Sequence, residues 1–263
     1  MWKIVRCVST GREKPPTKTV CQDALHVMKF ERPESVLVAC CADGAGSATL
    51  GDVGAKLACR QTGKAAERFI KSAGKAGLAE PPGRAVVEGW LESARRSLEA
   101  KAAERCVPLR ELATTLVLAV ATERWVLVGQ VGDGAAVFDA EGPRGSYEVP
   151  LWPDNGEYAN CTSFLTGESW RRDLRCVAAR RRIREMAMFT DGLQRLALHY
   201  AARRPHPPFF ERFFEKLRAM KETDRLRPAL ATFLTSPAVK SHTDDDLTLV
   251  LACRDDEDPH AHR

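Results

Sequence analysis

The chain has 263 residues, of which 44% are hydrophobic and 29% are charged, and its formal net charge is +5. This composition is ordinary for a soluble globular protein, and the length allows one large domain or two small ones with a sizeable core. No apolar run approaches the roughly 18–20 residues of a membrane-spanning helix, which excludes a helical membrane protein, and we expect no membrane partner.

The cysteines and the N-terminus indicate the cellular compartment. There are nine cysteines, an odd number, and none forms a Cys-x-x-Cys pair. Several of them, such as Cys40 and Cys41, lie among apolar residues. This usage favours a reducing cytoplasm over a disulfide framework and argues against a cysteine-ligated zinc site. The first residues lack the apolar core of a signal peptide, so we expect a cytoplasmic protein.

The N-terminal part of the chain predicts strands followed by two helices. Strand-like apolar patterns cover residues 4–8, 20–30 and 36–42. Apolar residues then recur at helical spacing over residues 52–71 and 83–103, which predicts two amphipathic helices.

A β-hairpin is predicted in the middle of the chain. Residues 116–122 and 125–131 are strand-like, and only Glu123 and Arg124 separate them. A two-residue connection of this kind is typical of antiparallel strands. The following stretch, 142–175, is rich in turn residues, and long loops of this type often carry function.

The C-terminal part predicts further strands and helices. Strand-like runs cover 186–190 and 247–253, and helical patterns cover 192–200 and 209–234. Strands, two helices, strands, helices and a strand therefore follow one another along the chain. This order favours an antiparallel-rich α+β sandwich over an alternating parallel sheet.

Charge is unevenly distributed along the sequence. Between Arg171 and Arg184 there are seven arginines and one aspartate. A basic cluster can bind nucleic acid, but no aromatic residues alternate with these arginines, so we expect a solvated face and no nucleic-acid partner. The acidic, histidine-containing tail, residues 255–263, is expected to be disordered. Residues 1–254 are expected to form a single domain.

Aspartates mark the ends of four apolar, strand-like runs. Each lies beside a glycine or another aspartate: these are Asp43-Gly44, Gly132-Asp133-Gly134, Asp191-Gly192 and Asp244-Asp245-Asp246. A carboxylate at the lip of a buried strand costs several kcal/mol unless cations or hydrogen bonds compensate it. Convergence of several such groups predicts hard cations, which prefer oxygen ligands. The pattern therefore indicates a magnesium- or manganese-dependent hydrolase.

These motifs, taken together and in order, carry a family resemblance. In chain order they are Gln22-Asp23-Ala24, Asp43-Gly44-Ala45-Gly46-Ser47, Thr114-Thr115, Gly132-Asp133-Gly134, Thr190-Asp191-Gly192-Leu193 and Asp245-Asp246-Leu247-Thr248. The series resembles the metal-dependent (PPM, or type 2C) protein serine/threonine phosphatases, in a bacterial variant, over residues 18–253. The resemblance implies a four-layer α-β-β-α sandwich of two antiparallel sheets, with a metal cleft at one edge of the sheets.

The resemblance also implies roles for individual residues. The catalytic carboxylates would be Asp43, Asp191 and Asp245: Asp43 would bridge two Mn²⁺ or Mg²⁺ ions, and the other two would hold the first ion. The Gly44 carbonyl would bind the second ion. A weaker third ion would bind Asp133.

Residues around the metals are implied in the same way. Asp23 would order the waters on the ions without binding the ions directly, with Gln22 beside it where a glutamate is frequent. The family usually has an arginine that grips the phosphate, and here its position is Lys18. We expect Lys18 or Arg12 to take that role. The implied substrate is a phosphorylated protein, either a serine/threonine kinase or a kinase target.

The residue types suit this chemistry, and two other functions are compatible with part of the pattern. Two divalent ions about 3.5–4 Å apart can activate a water for in-line attack on phosphorus, so no nucleophilic side chain is needed. A regulatory pseudo-phosphatase would bind phosphoprotein without turnover, as the altered phosphate-gripping positions allow. A two-metal nuclease would use the same carboxylates together with the arginine cluster, although the motif order disfavours it.

Overall fold

The computed structural model describes residues 1–11, 20–139, 142–153 and 162–255. The positions Arg12 and Lys18 therefore lie outside the described residues, as does most of the tail. Within the described ranges, no helix is both long enough and apolar enough to cross a membrane.

Strands and helices alternate in groups along the chain. The strands are β1 (Trp2–Ser9), β2 (Asp23–Phe30), β3 (Val36–Asp43), β4 (Leu116–Ala121), β5 (Val126–Val131), β6 (Ala135–Asp139), β7 (Tyr147–Glu148), β8 (Arg175–Ala179), β9 (Glu185–Phe189), β10 (Leu198–His199), β11 (Arg204–Pro205) and β12 (Leu247–Arg254). The α-helices are α1 (Gly51–Gly77), α2 (Arg84–Arg105), α3 (Trp170–Asp173), α4 (Gln194–Ala197), α5 (Pro207–Ala219), α6 (Leu226–Leu234) and α7 (Pro237–Lys240). Short 3-10 turns cover Leu109–Leu112, Asp191–Leu193 and Thr223–Arg225.

Two antiparallel sheets form the centre of the fold. The first has the strand order β1-β12-β9-β6-β7, and the second has the order β2-β3-β4-β5-β8. Both sheets are antiparallel throughout their paired strands, and β10 pairs separately with β11. The predicted hairpin is confirmed, because β4 and β5 pair directly from Leu116↔Val131 to Ala121↔Val126.

The core consists of three apolar layers that follow from the period-2 alternation of the strands. Alternate residues of the second sheet, such as Val38, pack on α1 and α2. The opposite residues, such as Leu37, pack between the two sheets against residues such as Val250 of the first sheet. The outer face of the first sheet, which includes Leu251, is covered by α5 and α6. The predicted α-β-β-α sandwich is therefore confirmed.

Local predictions were less accurate in the second half of the chain. The stretch predicted as one helix over 209–234 is two helices, α5 and α6, with a 3-10 turn before α6. The predicted helix over 192–200 is only the short α4, after which the chain enters β10. No strand was predicted over residues 175–179, which lie in the arginine-rich stretch. These residues form β8 because they pair with β5 at the edge of the second sheet. The short strands β6 and β7 were also not predicted.

The last described residue, Asp255, is tied to the N-terminus. The backbone N–H of Asp255 donates to the Met1 carbonyl over 2.7 Å, and Lys3 pairs with the Asp255 carboxylate at 2.9 Å. Residues 256–263 lie outside the described residues. The division into a domain over 1–254 and a tail stays a prediction.

Candidate active site at one edge of the sandwich

The first two aspartates of the motif series are neighbours on one face of the second sheet. Asp23 begins β2 and Asp43 ends β3, and the two residues are direct partners in the antiparallel register. Alternation along β2 and β3 places both side chains on the face of Leu25 and Leu37, which pack between the sheets. The carboxylates therefore point into the edge of the inter-sheet space.

The first sheet brings further carboxylates to the same edge. Asp191 follows β9, Asp245 precedes β12, and Asp133 lies between β5 and β6. Burial, followed by repulsion from Asp23, Asp191, Asp245 and Asp133, raises the pKa of Asp43 to about 10. We call these five residues the carboxylate edge.

Asp191 experiences the same two effects as Asp43. Burial and then the negative charges of Asp133 and Asp245 raise the pKa of Asp191 to about 7. Its Oδ1 atom is buried and has no hydrogen-bond partner. Gly192 is required next to it, because a Cβ at this position would collide with the backbone carbonyl of Asp246.

Asp23 is the most enclosed member of the carboxylate edge, with 4% of its surface exposed. Thr190 and Thr248 of the other sheet donate their hydroxyl hydrogens to Asp23 Oδ2 over 2.7 and 2.8 Å. The Oδ1 atom of Asp23 is buried without a partner. Burial outweighs the two threonine hydrogen bonds and raises the pKa of Asp23 to about 8. The side chain is held in place, yet one of its oxygens is unsatisfied.

The loop around Asp133 crosses between the two sheets. Because β5 belongs to the second sheet and β6 to the first, Gly132-Asp133-Gly134 is not a hairpin turn. Gln130 holds the loop by donating to the Gly132 and Gly134 carbonyls over 2.9 and 2.6 Å. Burial raises the pKa of Asp133, although a hydrogen bond from Thr162 at 2.9 Å opposes the shift.

Asp246 ties the N-terminal segment to the start of β12. Its carboxylate accepts hydrogen bonds from the backbone N–H groups of Gly11 and Gln22, each over 2.8 Å. The Gln22 side chain in turn donates to the Ala45 and Ala48 carbonyls, both over 3.1 Å. Gln22 therefore supports the turn after Asp43.

That turn contains Gly44, for which the sequence predicted a metal-binding carbonyl. The Gly44 N–H donates to the Gln22 carbonyl over 3.1 Å. A Cβ on Gly44 would collide with the backbone of Gly51 at the start of α1, so only glycine fits. The Asp43 carbonyl accepts from the N–H of Thr115 and from the hydroxyl of Thr114, over 2.8 and 3.0 Å.

The donor set fits hard divalent cations. Within the described ranges, no group of three or more His, Cys, Asp or Glu side chains converges closely enough to be assigned as a metal site. The carboxylates nevertheless repel one another, and two of their oxygens, Asp23 Oδ1 and Asp191 Oδ1, are buried and unsatisfied. Carboxylate oxygens with these properties suit Mg²⁺ or Mn²⁺, which would compensate the charge.

Some contributing residues were not predicted as parts of the site. Thr190 and Thr248 occurred in the motif series, but no role was predicted for them. Thr162 and Gln194 were assigned no role either; the Gln194 amide donates to the backbone carbonyl of Asp133. The predicted phosphate-gripping residues, Arg12 and Lys18, lie outside the described residues.

The arginine cluster is largely neutralised by acidic partners. Ion pairs join Arg171 to Glu92, Arg180 to Glu80 at 2.7 Å, Arg181 to Glu148, Arg182 to Glu123 at 2.8 Å and Arg184 to Asp139 at 2.8 Å. These pairs agree with the prediction of a solvated charged face. They offer little free positive charge to a nucleic-acid backbone.

Comparison with known proteins gives consistent results. The sequence profile of the family described as Protein phosphatase 2C matches residues 10–235. Serine/threonine-protein phosphatase 3 of Escherichia coli (strain K12) is 34% identical over 255 residues, which cover 95% of this chain and 98% of the relative.

Solved structures share the fold. A bacterial serine phosphatase has a TM-score of 0.62 at 17% identity, with 96% of this chain and 98% of that chain covered. The catalytic domain of the serine/threonine protein phosphatase PstP, solved with two manganese ions, has a TM-score of 0.58 at 14% identity, with 96% and 97% covered. At these identities the likeness establishes the architecture alone.

Proposed function

Because the chain belongs to the protein phosphatase 2C family and is a serine/threonine protein phosphatase, we propose that it hydrolyses phosphoserine and phosphothreonine at a binuclear manganese or magnesium centre. The observation that carries this proposal is the pair of buried, unsatisfied oxygens, Asp23 Oδ1 and Asp191 Oδ1, within a cluster of mutually repelling carboxylates. Such a cluster is costly unless cations neutralise it.

The proposed ligands are the residues that the motif series named. Asp43 would be shared between two ions, Asp191 and Asp245 would hold the first ion, and the Gly44 carbonyl would contribute to the second. Asp133 would serve a weaker third ion. When bound, the ions supply charge neutralisation at phosphorus and activation of a water molecule.

The remaining residues of the site position these ligands. Thr190 and Thr248 fix the orientation of Asp23 from the opposite sheet, which leaves Asp23 Oδ1 as an acceptor for ordered water. Asp246 and Gln22 hold the N-terminal segment and the Asp43 turn together. Precise placement of reacting groups lowers the barrier because the entropy of ordering them is lost before the reaction.

The substrate and compartment follow from the same reasoning. A phosphorylated protein, either a serine/threonine kinase or a kinase target, is the proposed substrate. Every cysteine within the described ranges is a free thiol. Free thiols are typical of a reducing compartment, which supports a bacterial cytoplasm as the proposed location.

The experiment that tests this function measures phosphate release from a phosphothreonine peptide. Turnover is measured with added Mn²⁺ and with chelator for the wild type, Asp191→Ala and the matched control Asp224→Ala. Asp224 is an exposed aspartate that, like Asp191, lies in a 3-10 turn. We expect Asp191→Ala to lose at least about 100-fold in turnover, more than the roughly 10–100-fold typical of a residue that only supports a ligand. Asp224→Ala should retain wild-type turnover.

Two outcomes would change the conclusion. Manganese binding that is lost in Asp191→Ala, without turnover by the wild type, would favour the regulatory pseudo-phosphatase. Turnover that survives both chelation and Asp191→Ala would contradict the proposed metal centre.

A further inference from the structure

A cavity lies on the outer face of the first sheet, between that sheet and the helices α5 and α6. Its volume is about 490 Å³. Val5 of β1 and Leu251 of β12 form its floor, and both belong to the outer apolar layer of the sheet. Ligand-binding cavities in proteins typically measure about 300–1,000 Å³. The cavity therefore has the size of a small-molecule site.

Aromatic and aliphatic side chains of two helices form the walls. Phe209 and Phe213 of α5 stand on one side, and Leu230 and Phe233 of α6 stand on the other. The two helices meet where the Phe213 and Phe233 rings contact each other edge to face, with centroids 5.0 Å apart. This apolar interior is suited to an aliphatic chain.

The polar groups of the cavity are all basic or neutral. Arg212 and Lys216 of α5 and His206 before α5 are part of the lining, and no acidic residue is. Neither Arg212 nor Lys216 forms an ion pair with any residue of the described ranges. Because the two cations are four residues apart on one helix, they repel each other, and an anion between them would relieve the repulsion.

None of the segments outside the described ranges contains Val, Ile, Leu, Met, Phe or Trp. The cavity therefore lacks an internal apolar occupant from those segments. An external ligand must combine an apolar body with a negative charge.

We propose that this cavity binds a fatty acid, a single aliphatic chain that ends in a carboxylate. The chain would lie between the phenylalanines of α5 and the apolar residues of α6. The carboxylate would contact Arg212, whose guanidinium can donate two parallel hydrogen bonds, and Lys216. This site is separate from the phosphatase centre and does not depend on the function proposed for it.

The test is calorimetric titration of the full chain with laurate, below its micellar concentration. We expect saturable binding of one laurate per chain, and no comparable binding of dodecanol, which has the same chain length without the charge. Arg212→Gln and Lys216→Gln should each weaken laurate binding by roughly 10–100-fold, the range for loss of a charge-assisted hydrogen bond. The matched control Lys221→Gln, an exposed lysine outside the lining, should bind like the wild type.

A second variant tests the apolar part of the site. Ala229→Phe places a ring at the cavity wall on α6 and should abolish laurate binding while circular dichroism shows an unchanged fold. If that variant does not fold, the charge variants still decide the question.

Several results would overturn the proposal. These are absence of saturable laurate binding by the folded wild type, equal binding by Arg212→Gln and Lys221→Gln, and uptake of many laurates per chain, as in detergent association. Binding to anionic lipid vesicles without binding of monomeric laurate would identify a membrane-docking surface instead.

Discussion

The two ends of the sandwich bury carboxylates in opposite ways. Asp23 at the carboxylate edge and Asp139 at the far end are each 4% exposed. The Asp139 carboxylate accepts from the side chain of Arg184 over 2.8 Å and from two backbone N–H groups over 2.7 and 2.9 Å. Asp23 has two threonine hydroxyls on one oxygen and nothing on the other.

Arginines make the difference between the two ends. We call the far end, with Asp139, Glu185, Arg184, Arg218 and Arg254, the arginine edge. Each buried carboxylate there has a guanidinium partner: Arg184 for Asp139 and Arg218 for Glu185. At the carboxylate edge, the described contacts of Asp23 and Asp43 include no cation. The first arrangement stabilises the fold, whereas the second leaves buried carboxylates that a cationic ligand would stabilise.

The largest loss of stability is expected from Arg254→Met, which would break the arginine edge alone. The Arg254 guanidinium donates to Glu123, to the Thr122 carbonyl and, over 2.9 Å, to the Ile183 carbonyl, and it stacks 4.4 Å from the Trp2 ring centroid. Removing it should lower the free energy of unfolding by about 2–4 kcal/mol, because Glu123 and the two carbonyl groups lose their buried cationic hydrogen-bond donor.

Urea denaturation measures this loss for Arg254→Met. Turnover per folded molecule should stay at the wild-type level, because the carboxylate edge lies at the other end of the strands. A fall in turnover that is not explained by unfolding would contradict the independence of the two edges.

A pair of isosteric substitutions compares the edges directly. Asp139→Asn should destabilise the protein by about 1–3 kcal/mol, because Arg184 loses its charged partner. Asp23→Asn should leave the metal-free protein as stable as the wild type or more stable at about pH 8, because it removes a poorly compensated charge. It should lower turnover by about 10–100-fold, as loss of a supporting residue does. Equal destabilisation by both substitutions would contradict the claim that only the carboxylate of the arginine edge stabilises the fold.

The pH dependence of stability should reflect the carboxylate edge when metal is absent. The pKa values of about 8 for Asp23 and about 7 for Asp191 exceed the value of roughly 3.9 expected for unfolded aspartate. The folded chain therefore holds protons that the unfolded chain has released. The stability that these protons contribute is full below about pH 4 and is lost as pH rises through about 7–8.

This loss is measurable by thermal denaturation in chelator. We expect Tm to fall by roughly 3–8 °C between about pH 5.5 and about pH 8, which corresponds to roughly 1–2 kcal/mol. Added Mn²⁺ should restore Tm at the higher pH, since a ligand that binds only the folded state stabilises it. The Asp23→Asn variant should show a shallower decline. A pH-independent Tm without metal would show that the folded chain does not raise the pKa values of these carboxyl groups.

The smallest effect is expected where charge pairs are exposed. Arg180 and Glu80 are 2.7 Å apart, but their side chains are 76% and 58% exposed. Arg180→Gln should therefore change stability by less than about 0.5 kcal/mol, as is typical of surface pairs. Denaturation in low and high salt gives the measurement. A loss of stability comparable to that of Arg254→Met would mean that solvent exposure does not determine how much an ion pair contributes to stability.

Prediction succeeded where local pattern and local chemistry were sufficient. The strands β3, β5 and β12 and the helix α2 were predicted with small shifts of their ends, because apolar periodicity is strong in each. The helix α1 was also predicted, but it extends to Gly77, past the predicted end at residue 71. It failed at β6 and β8, which are short and owe their conformation to pairing with neighbours. The single helix predicted over 209–234 is interrupted before Leu226, although its apolar positions continue in both helices.

The sequence by itself determined that aspartates end the strands and that glycines allow the turns beside them, since both depend on adjacent residues. Only the tertiary structure decided which strand ends meet. Thr190 and Thr248 reach Asp23 from positions 167 and 225 residues away. Periodicity fixes the face on which a side chain lies, but not the sheet that packs against it. The same packing placed arginines beside the carboxylates of one edge and left the oxygens Asp23 Oδ1 and Asp191 Oδ1 unsatisfied at the other.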